Sequence, residues 1–233
     1  MNLTNNTSGD KSNNNNSNTS NNTSRNNAKS HLGISDLTLI ALFTAVMAIC
    51  SWISIPATVP FTLQTLGLFL ACGLLGGKRG TITVAVYLLL GAIGIPVFSG
   101  FAGGIGHLLG PTGGYIIGFL FSALVMWAAE VIHAKGKTPR SGSGRSSDSC
   151  SASVSSPGGY RVLAISMVLG LLICYAFGTI WFVTVYTRST GSVGLMTALS
   201  WCVLPYIIPD AVKIMVALLL CRRLRPAIST WNR

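Results

Sequence analysis

The chain has 233 residues, of which half are apolar and only 9% are charged, with a mean hydropathy of +0.58. A soluble domain carries roughly a quarter charged residues, so this composition excludes an ordinary water-soluble protein. A formal net charge of +11 would suggest nucleic-acid binding in a soluble protein. Here the basic residues fall between apolar runs, so the positive-inside rule of membrane proteins accounts for them and no nucleic-acid partner is predicted.

Two polar stretches divide the chain. Residues 1–31 are mostly Asn, Ser and Thr, so we predict a disordered tail and, without an apolar stretch before a cleavage site, no secretory signal. The second stretch, at about 133–161, is rich in Ser, Gly and basic residues and predicts a flexible linker. The predicted organisation is a cytoplasmic tail (1–31), four membrane helices (32–132), a cytoplasmic linker (133–161), two membrane helices (162–225) and a cytoplasmic C-terminal tail (226–233).

Six apolar segments are predicted to be membrane helices, because a span needs about 20 largely apolar residues, or somewhat fewer when neighbouring helices protect it. Ser35 or Asp36 is the expected N-cap of the first helix. The predicted fold class is all-α, an integral membrane protein built as a six-transmembrane-helix bundle. The predicted helices cover about 36–54, 63–76, 80–95, 112–132, 162–186 and 199–221.

The basic residues between these helices lie almost entirely on one side of the predicted bundle, and Arg188 is the one base on the other side. Because basic loops remain in the cytoplasm, both termini are expected there, in a multi-pass protein of the cell membrane surrounded by lipid. The bases on the predicted cytoplasmic side are Lys11, Arg25, Lys29, Lys78, Arg79, Lys135, Lys137, Arg140, Arg145, Arg161, Arg222, Arg223, Arg225 and Arg233.

The sharpest functional signal lies in the last predicted helix, where Asp210 and Lys213 are the only charged residues between 195 and 221. Each charge costs roughly 2.5–3.5 kcal/mol at the centre of a span. The i, i+3 spacing puts both on one helix face, which can point into the bundle. Pro205 and Pro209 precede them, so a helix restarting near Pro209 would direct its N-terminal dipole toward an outer pocket. The two groups either neutralise each other structurally or recognise a polar solute, and we favour the solute.

Other polar residues give weaker signals. An uncharged glycine-rich segment at 96–115 indicates either a lid over a small ligand or a packing loop, and we favour the lid. His107 within it is expected to be a loop residue rather than a ligand. Gln64 and Thr65 are expected to pack or cap the second helix, with a pocket role left open. Glu130, near the cytoplasmic end of the fourth helix, is expected to be solvated.

A stripe of small residues marks the first helix, where Ala41 and Ala45 are four residues apart and Ala48 lies one turn further on. Such faces let helices approach closely in lipid. From the residues alone, packing inside the bundle and contact with an external partner are equally open.

No motif of a nucleotide-binding loop, serine hydrolase, zinc protease or paired-carboxylate enzyme is present, so we predict no catalytic residue. The six cysteines show no CxxC pair or Cys/His ligand spacing, so no metal site is predicted. Use of ATP would then need separate subunits. The alternative is a self-sufficient secondary transporter with Asp210 as an ion site, although the ammonium of Lys213 disfavours a cation there. A membrane enzyme or insertase is a third hypothesis, which lacks a catalytic constellation.

Three segments carry a resemblance to a known family: VPFTLQTLGLFLACGLLGGKRG at 59–80, YLLLGAIGIPVFSGFAGGIGHLLGPTGGYIIGF at 87–119 and PDAVK at 209–213. Over about 36–222 the chain resembles the BioY family, the biotin-specific substrate-binding S components of energy-coupling factor (ECF) transporters. The resemblance implies a six-helix bundle with a cavity near its outer face, high-affinity biotin capture and uptake, and a prokaryotic plasma membrane.

The resemblance also implies a set of site residues. Asp210 and Lys213 match the acidic and basic residues of the family's last helix that contact biotin. The segment 97–104 would cover the ligand, with Ser99 as a candidate polar contact. The further residues expected to line the substrate site are Phe98, Gly103, Gly104 and Tyr115.

Partners follow from the same resemblance. The face carrying Ala41 and Ala45 resembles the one that such subunits present to the ECF transmembrane coupling protein, which favours the external role of this helix. ATP would be hydrolysed by ATPase subunits alone, and this chain would need no cofactor. The tail and the linker are longer than is usual in the family. Because both lie on the predicted cytoplasmic side, they would affect docking to the energising module and not the pocket.

Overall fold

Seven α-helices and one strand pair make up the part of the chain that this computed structural model describes, residues 33–55, 61–135, 157–190, 199–200 and 203–231. Strand β1 (Ser54–Ile55) pairs antiparallel with β2 (Phe61–Thr62), and short 3-10 turns occupy Ser99–Phe101 and Leu204–Tyr206. The helices are α1 (Ile34–Trp52), α2 (Gln64–Leu75), α3 (Gly77–Ile93), α4 (Ile105–Leu109), α5 (Gly113–Lys135), α6 (Pro157–Thr190) and α7 (Ile207–Trp231).

Each of the six predicted helices overlaps a helix of the structure, and the largest difference is in the last. It begins at Ile207 instead of about 199, after a 3-10 turn that contains Pro205. Proline lacks a backbone donor and is tolerated only in the first turn, so Pro209 marks a restart as predicted. The helices α5, α6 and α7 extend into the ranges predicted as linker and C-terminal tail. The tail at 1–31 and residues 136–156 of the linker lie outside the described residues.

The predicted N-cap of the first helix was wrong. The helix begins at Ile34, after Gly33 in an extended conformation, so Ser35 and Asp36 lie inside its first turn. The Asp36 carboxylate instead pairs with Arg79, with 3.0 Å between Oδ1 and Nη2. An acid in the first turn interacts favourably with the helix dipole, and here it also joins the start of α1 to that of α3.

Four helices in the described ranges are long and apolar enough to cross a membrane: Ile34–Trp52, Gly113–Ala134, Gly158–Thr187 and Leu204–Arg225. Much of their surface is both apolar and exposed, as at Leu172 and Leu219, which are 56% and 61% exposed. A soluble protein rarely leaves such continuous apolar faces uncovered. The chain is therefore a multi-pass membrane protein.

The short helix α2 lies at the centre of the bundle. It contacts α1, α3, α5 and α7, and every residue from Gly67 to Leu75 is buried. A helix that is apolar on all sides is typical of such a central position. Close approach explains Gly73, where a Cβ would lie 2.5 Å from Cys221 Sγ of α7.

The two ends of the bundle differ in charge. At the basic end, Arg225 of α7 donates to the Gly73 carbonyl, and the exposed Lys78, Arg161, Arg222 and Arg223 lie at the helix ends on the same side. At the other end, residues 94–112 connect α3 to α5, and we call this segment the cover. Trp52 at the end of α1 donates from Nε1 to the Pro96 carbonyl of the cover, at 2.9 Å.

Candidate functional site

Asp210 and Lys213 form a buried ion pair in the first turns of α7. Their exposed fractions are 3% and 5%, and 2.6 Å separates Lys213 Nζ from Asp210 Oδ1. The i, i+3 spacing turns both side chains into the bundle, as the sequence predicts. Burial of a charge is costly unless it is paired and hydrogen-bonded, so the surrounding groups decide whether this pair is stable.

Asp210 accepts hydrogen bonds from two further helices. The Thr65 hydroxyl of α2 donates to Oδ1 at 3.4 Å, and the Tyr175 hydroxyl of α6 donates to Oδ2. With the ammonium of Lys213 on Oδ1, the carboxylate receives donors from α2, α6 and α7. The negative charge therefore lies where three helices meet.

Lys213 is held by the strand β2. Its Nζ donates to the Thr62 carbonyl at 2.7 Å and lies 4.0 Å from the centre of the Phe61 ring. An ammonium over an aromatic face is stabilised by the ring quadrupole, most strongly when it is desolvated. The ring of Tyr206 stacks on Phe61, with 6.1 Å between the centroids. The cation thus faces a carboxylate, a carbonyl and a ring.

The cover packs onto the bundle through Phe98, which is 0% exposed. Its ring meets Tyr87 edge-on at 5.7 Å and stacks on His107 at 5.6 Å between centroids. A Cβ on Gly91 would lie 2.0 Å from Phe98 Cζ, so this position of α3 has room only for glycine. Phe98 therefore fills the contact between the cover and α3.

The glycines predicted to line the pocket have backbone roles in the cover. A Cβ on Gly103 would lie 2.5 Å from the Ile95 carbonyl oxygen. Gly104 has φ +92°, which favours glycine, and its N–H donates to the Gly91 carbonyl at 2.7 Å. Ser99 is half-buried in the 3-10 turn. Contact of these residues with a ligand stays a prediction.

Tyr115 lies between α5 and α6 and is 8% exposed. Its hydroxyl is 3.1 Å from Thr179 Oγ1 of α6. Nearby, Trp181 Nε1 of α6 donates to the Gly110 carbonyl at 3.1 Å, which fastens the end of the cover to α6. The structure therefore places Tyr115 beneath the attachment of the cover, and its role toward a ligand remains a prediction.

His107 is half-buried in α4, and desolvation by burial lowers its pKa below the usual 6.5. Among the described residues its Nε2 has no hydrogen-bond partner. The imidazole is therefore neutral at physiological pH, where it stacks on Phe98 as an uncharged ring.

Sequence reasoning missed Tyr175, Phe61 and Thr62. A phenol hydroxyl in the middle of an apolar helix needs a partner, and this signal could have singled out Tyr175. The backbone carbonyl of Thr62 carries no side-chain signal at all. For Thr65 a pocket role was left open, and the structure places its hydroxyl on Asp210.

The small residues of α1 fall on two different faces. Ala41 and Ala45 are exposed, in one ridge with Leu37 and Ile49, which are 58% and 53% exposed. Ala48 is instead buried in the core. The ridge at Ala41 and Ala45 is therefore on the bundle surface.

Comparison with known proteins decides the family. The model of the BioY family matches residues 19–230. The chain belongs to the BioY family. A BioY-family relative from Pyrococcus horikoshii, described as a probable biotin transporter BioY, is 35% identical over 191 residues, which is 82% of this chain and 96% of the relative.

Other BioY proteins and a solved structure agree with this assignment. The biotin transporter BioY of Thermotoga maritima is 54% identical over 86 residues, 36% of this chain and 51% of the relative. The crystal structure of an S-component for biotin from an ECF-type ABC transporter aligns with a TM-score of 0.65 at 29% identity, covering 83% of this chain and 92% of that chain. The range matched by the BioY family model includes Asp210, Lys213 and the whole cover.

Proposed function

We propose that this chain captures biotin beneath the cover, as the substrate-binding subunit of an ECF-type vitamin transporter. The observation that carries the proposal is the buried ion pair of Asp210 and Lys213, held between β2, α2 and α6. The BioY relatives described as biotin transporters, and the solved S-component for biotin, support the choice of ligand.

The chemistry of biotin suits this pair. Its ureido ring has two N–H donors and one carbonyl, its bicyclic body is apolar, and its tail ends in a carboxylate. Asp210 would accept a ureido N–H, and Lys213 would donate to the ureido carbonyl or to the tail. The further contacts would come from Phe98, Ser99, Gly103, Gly104 and Tyr115.

The ligand must replace hydrogen bonds that the protein already makes. Lys213 has three N–H donors, and its ammonium is engaged by Asp210 Oδ1, the Thr62 carbonyl and the Phe61 ring. A ureido carbonyl can take the place of the Thr62 carbonyl without leaving the ammonium unpaired. Exchange of one partner for another avoids the desolvation penalty of a newly buried charge.

The orientation rests on the same charge asymmetry as the sequence prediction. The described bases with exposed side chains, Lys78, Arg161, Arg222 and Arg223, lie at the basic end. By the positive-inside rule this end faces the cytoplasm. We therefore propose six spans with both termini cytoplasmic and the cover on the outer side, where biotin arrives.

Energy for uptake would come from partner proteins. The exposed ridge at Ala41 and Ala45 would dock the ECF transmembrane coupling protein, and separate ATPase subunits would hydrolyse ATP. The chain itself would act as neither an enzyme nor a cofactor carrier. Uptake that persists without these partners and collapses with an uncoupler would instead identify a self-sufficient secondary transporter.

Calorimetric titration of the purified full chain with biotin tests the proposal. We expect one-to-one binding that weakens about 10- to 100-fold in Asp210→Asn and in Lys213→Met, the loss of a charge-assisted hydrogen bond. Asp36→Asn and Lys78→Met remove the same charges at the basic end and should bind as the wild type does. Near-native affinity of Asp210→Asn would refute the assignment of the site.

A further inference from the structure

A small cleft opens at the basic end, at the opposite end of α7 from Asp210 and Lys213. It lies between the last turns of α5, the first turns of α6 and Arg225 of α7. Glu130, His133 and Ser166 supply further polar groups to its wall. This cleft has no part in the site beneath the cover.

Two nitrogen atoms in the wall lack protein partners. Arg225 donates to the Gly73 carbonyl from Nε at 3.1 Å and from Nη2 at 2.9 Å. Its Nη1 and the Nε2 of His133 are buried atoms without a hydrogen-bond partner within the described ranges. A guanidinium has five N–H donors, and a buried donor left unpaired is costly. Two such atoms on one cleft point to a ligand that supplies acceptors.

Glu130 does not cancel this cationic character. It was expected to be solvated, which was wrong, because its Oε2 accepts the backbone N–H of Gly77 at the first residue of α3. A carboxylate at a helix N-terminus is stabilised by the partial positive charge of the dipole. A ligand in the cleft therefore meets the Arg225 guanidinium beside an acid whose charge is partly offset.

The cleft lies at the depth of lipid headgroups. The candidate spans Gly113–Ala134 and Leu204–Arg225 end beside it, and Gly158–Thr187 begins there. The exposed Arg222 and Arg223, three and two residues before Arg225, add positive charge to the same end of α7. Basic pockets between membrane helices at this level suit anionic headgroups.

We propose that this cleft binds the phosphate group of an anionic phospholipid. The Nη1 of Arg225 donates to one phosphate oxygen, His133 Nε2 donates to a second, and Arg222 and Arg223 draw the headgroup to the rim. Free inorganic phosphate has the same acceptor chemistry, but the position at the ends of three spans favours a lipid, whose acyl chains lie along α6 and α7.

Native mass spectrometry of the full chain tests this site, after reconstitution in phosphatidylcholine nanodiscs with or without phosphatidylglycerol. We expect the wild type to retain phosphatidylglycerol preferentially. Arg225→Gln and His133→Phe should weaken retention about tenfold, the loss of one charge-assisted bond. Arg222→Gln removes an equal charge from the exposed rim and should weaken it far less.

Because Arg225 also donates to the Gly73 carbonyl, its replacement can lower the yield of folded protein. If it does, the test rests on His133→Phe, which removes no hydrogen bond among the described residues. Equal lipid retention by the wild type and all three variants would overturn the site. An equal loss of retention in all three variants would also overturn it, because such a loss would reflect net charge and not the cleft. A thermal shift with inorganic phosphate but no preference among lipids would show that the cleft binds free phosphate and not a phospholipid. Loss of assembly with a coupling protein, with lipid retention unchanged, would assign the cleft to a protein partner instead.

Discussion

The Tyr87 hydroxyl donates to the Val97 carbonyl at 2.7 Å while it accepts a hydrogen bond from Gln64 Nε2, also at 2.7 Å. Gln64 stands two residues after Thr62, whose carbonyl accepts from Lys213. A continuous set of contacts therefore joins the cover, through α3 and α2, to the buried ion pair. The Tyr87 hydroxyl is one link between the cover and the start of α2.

Replacement Tyr87→Phe is expected to loosen the cover. It leaves the Val97 carbonyl and the Gln64 amide without their buried partner, so the free energy of unfolding should fall by about 1–3 kcal/mol. Hydrogen–deuterium exchange of peptides within 94–112 should rise, and biotin should dissociate faster. Tyr160→Phe removes a hydroxyl at the basic end and serves as the control. Unchanged exchange of the cover in Tyr87→Phe would contradict its role.

Replacement Gly91→Ala tests the packing of Phe98 of the cover against α3. The new Cβ would lie 2.0 Å from Phe98 Cζ, so the ring must move out of its place between Tyr87 and His107. Overpacking of this kind costs about 1–3 kcal/mol, which a thermal unfolding scan can measure. Gly106→Ala meets no atom within 4 Å and should leave the midpoint unchanged. Equal midpoints for the two variants would show that Phe98 tolerates displacement.

Acidification is expected to open the cover. Burial lowers the pKa of His107 below its usual 6.5, so folding favours the neutral ring. Its contribution to stability is complete above pH 6.5 and is lost as the pH falls through the lower value in the folded protein. Biotin should therefore dissociate faster below pH 6.5. His107→Phe keeps a ring against Phe98 without titrating, and the same acceleration in this variant would assign the effect to another group.

The double replacement Ala41→Leu with Ala45→Leu should block uptake and leave biotin binding intact. Both positions are exposed, so larger side chains fit on the free subunit but prevent a close helix contact. Uptake in cells with the coupling and ATPase subunits gives the first readout, and calorimetry gives the second. Ala128→Leu changes another exposed alanine, on α5, and should transport normally. Normal uptake by the double variant would remove α1 as the docking face.

The sequence alone predicted a multi-pass helical protein and the charged pair, because both signals are local. Long apolar runs favour membrane helices, and the i, i+3 spacing puts Asp210 and Lys213 on one face. The glycine-rich pattern likewise predicted the connection between α3 and α5, and its role as a lid stays a prediction. The predicted N-cap at Ser35 or Asp36 was wrong because the helix begins earlier, at Ile34, and Asp36 in its first turn pairs with Arg79, which is distant in sequence.

Tertiary structure decided what surrounds those residues. Tyr175 and Thr65 reach Asp210 from separate helices, and the Thr62 carbonyl reaches Lys213 from a strand 151 positions away in sequence. No periodicity encodes such meetings, since they depend on how the helices cross and not on their local preferences. The apolar and charged pattern therefore determined a multi-pass helical protein with a buried pair, and only packing determined the hydrogen bonds that keep that pair stable within the bundle.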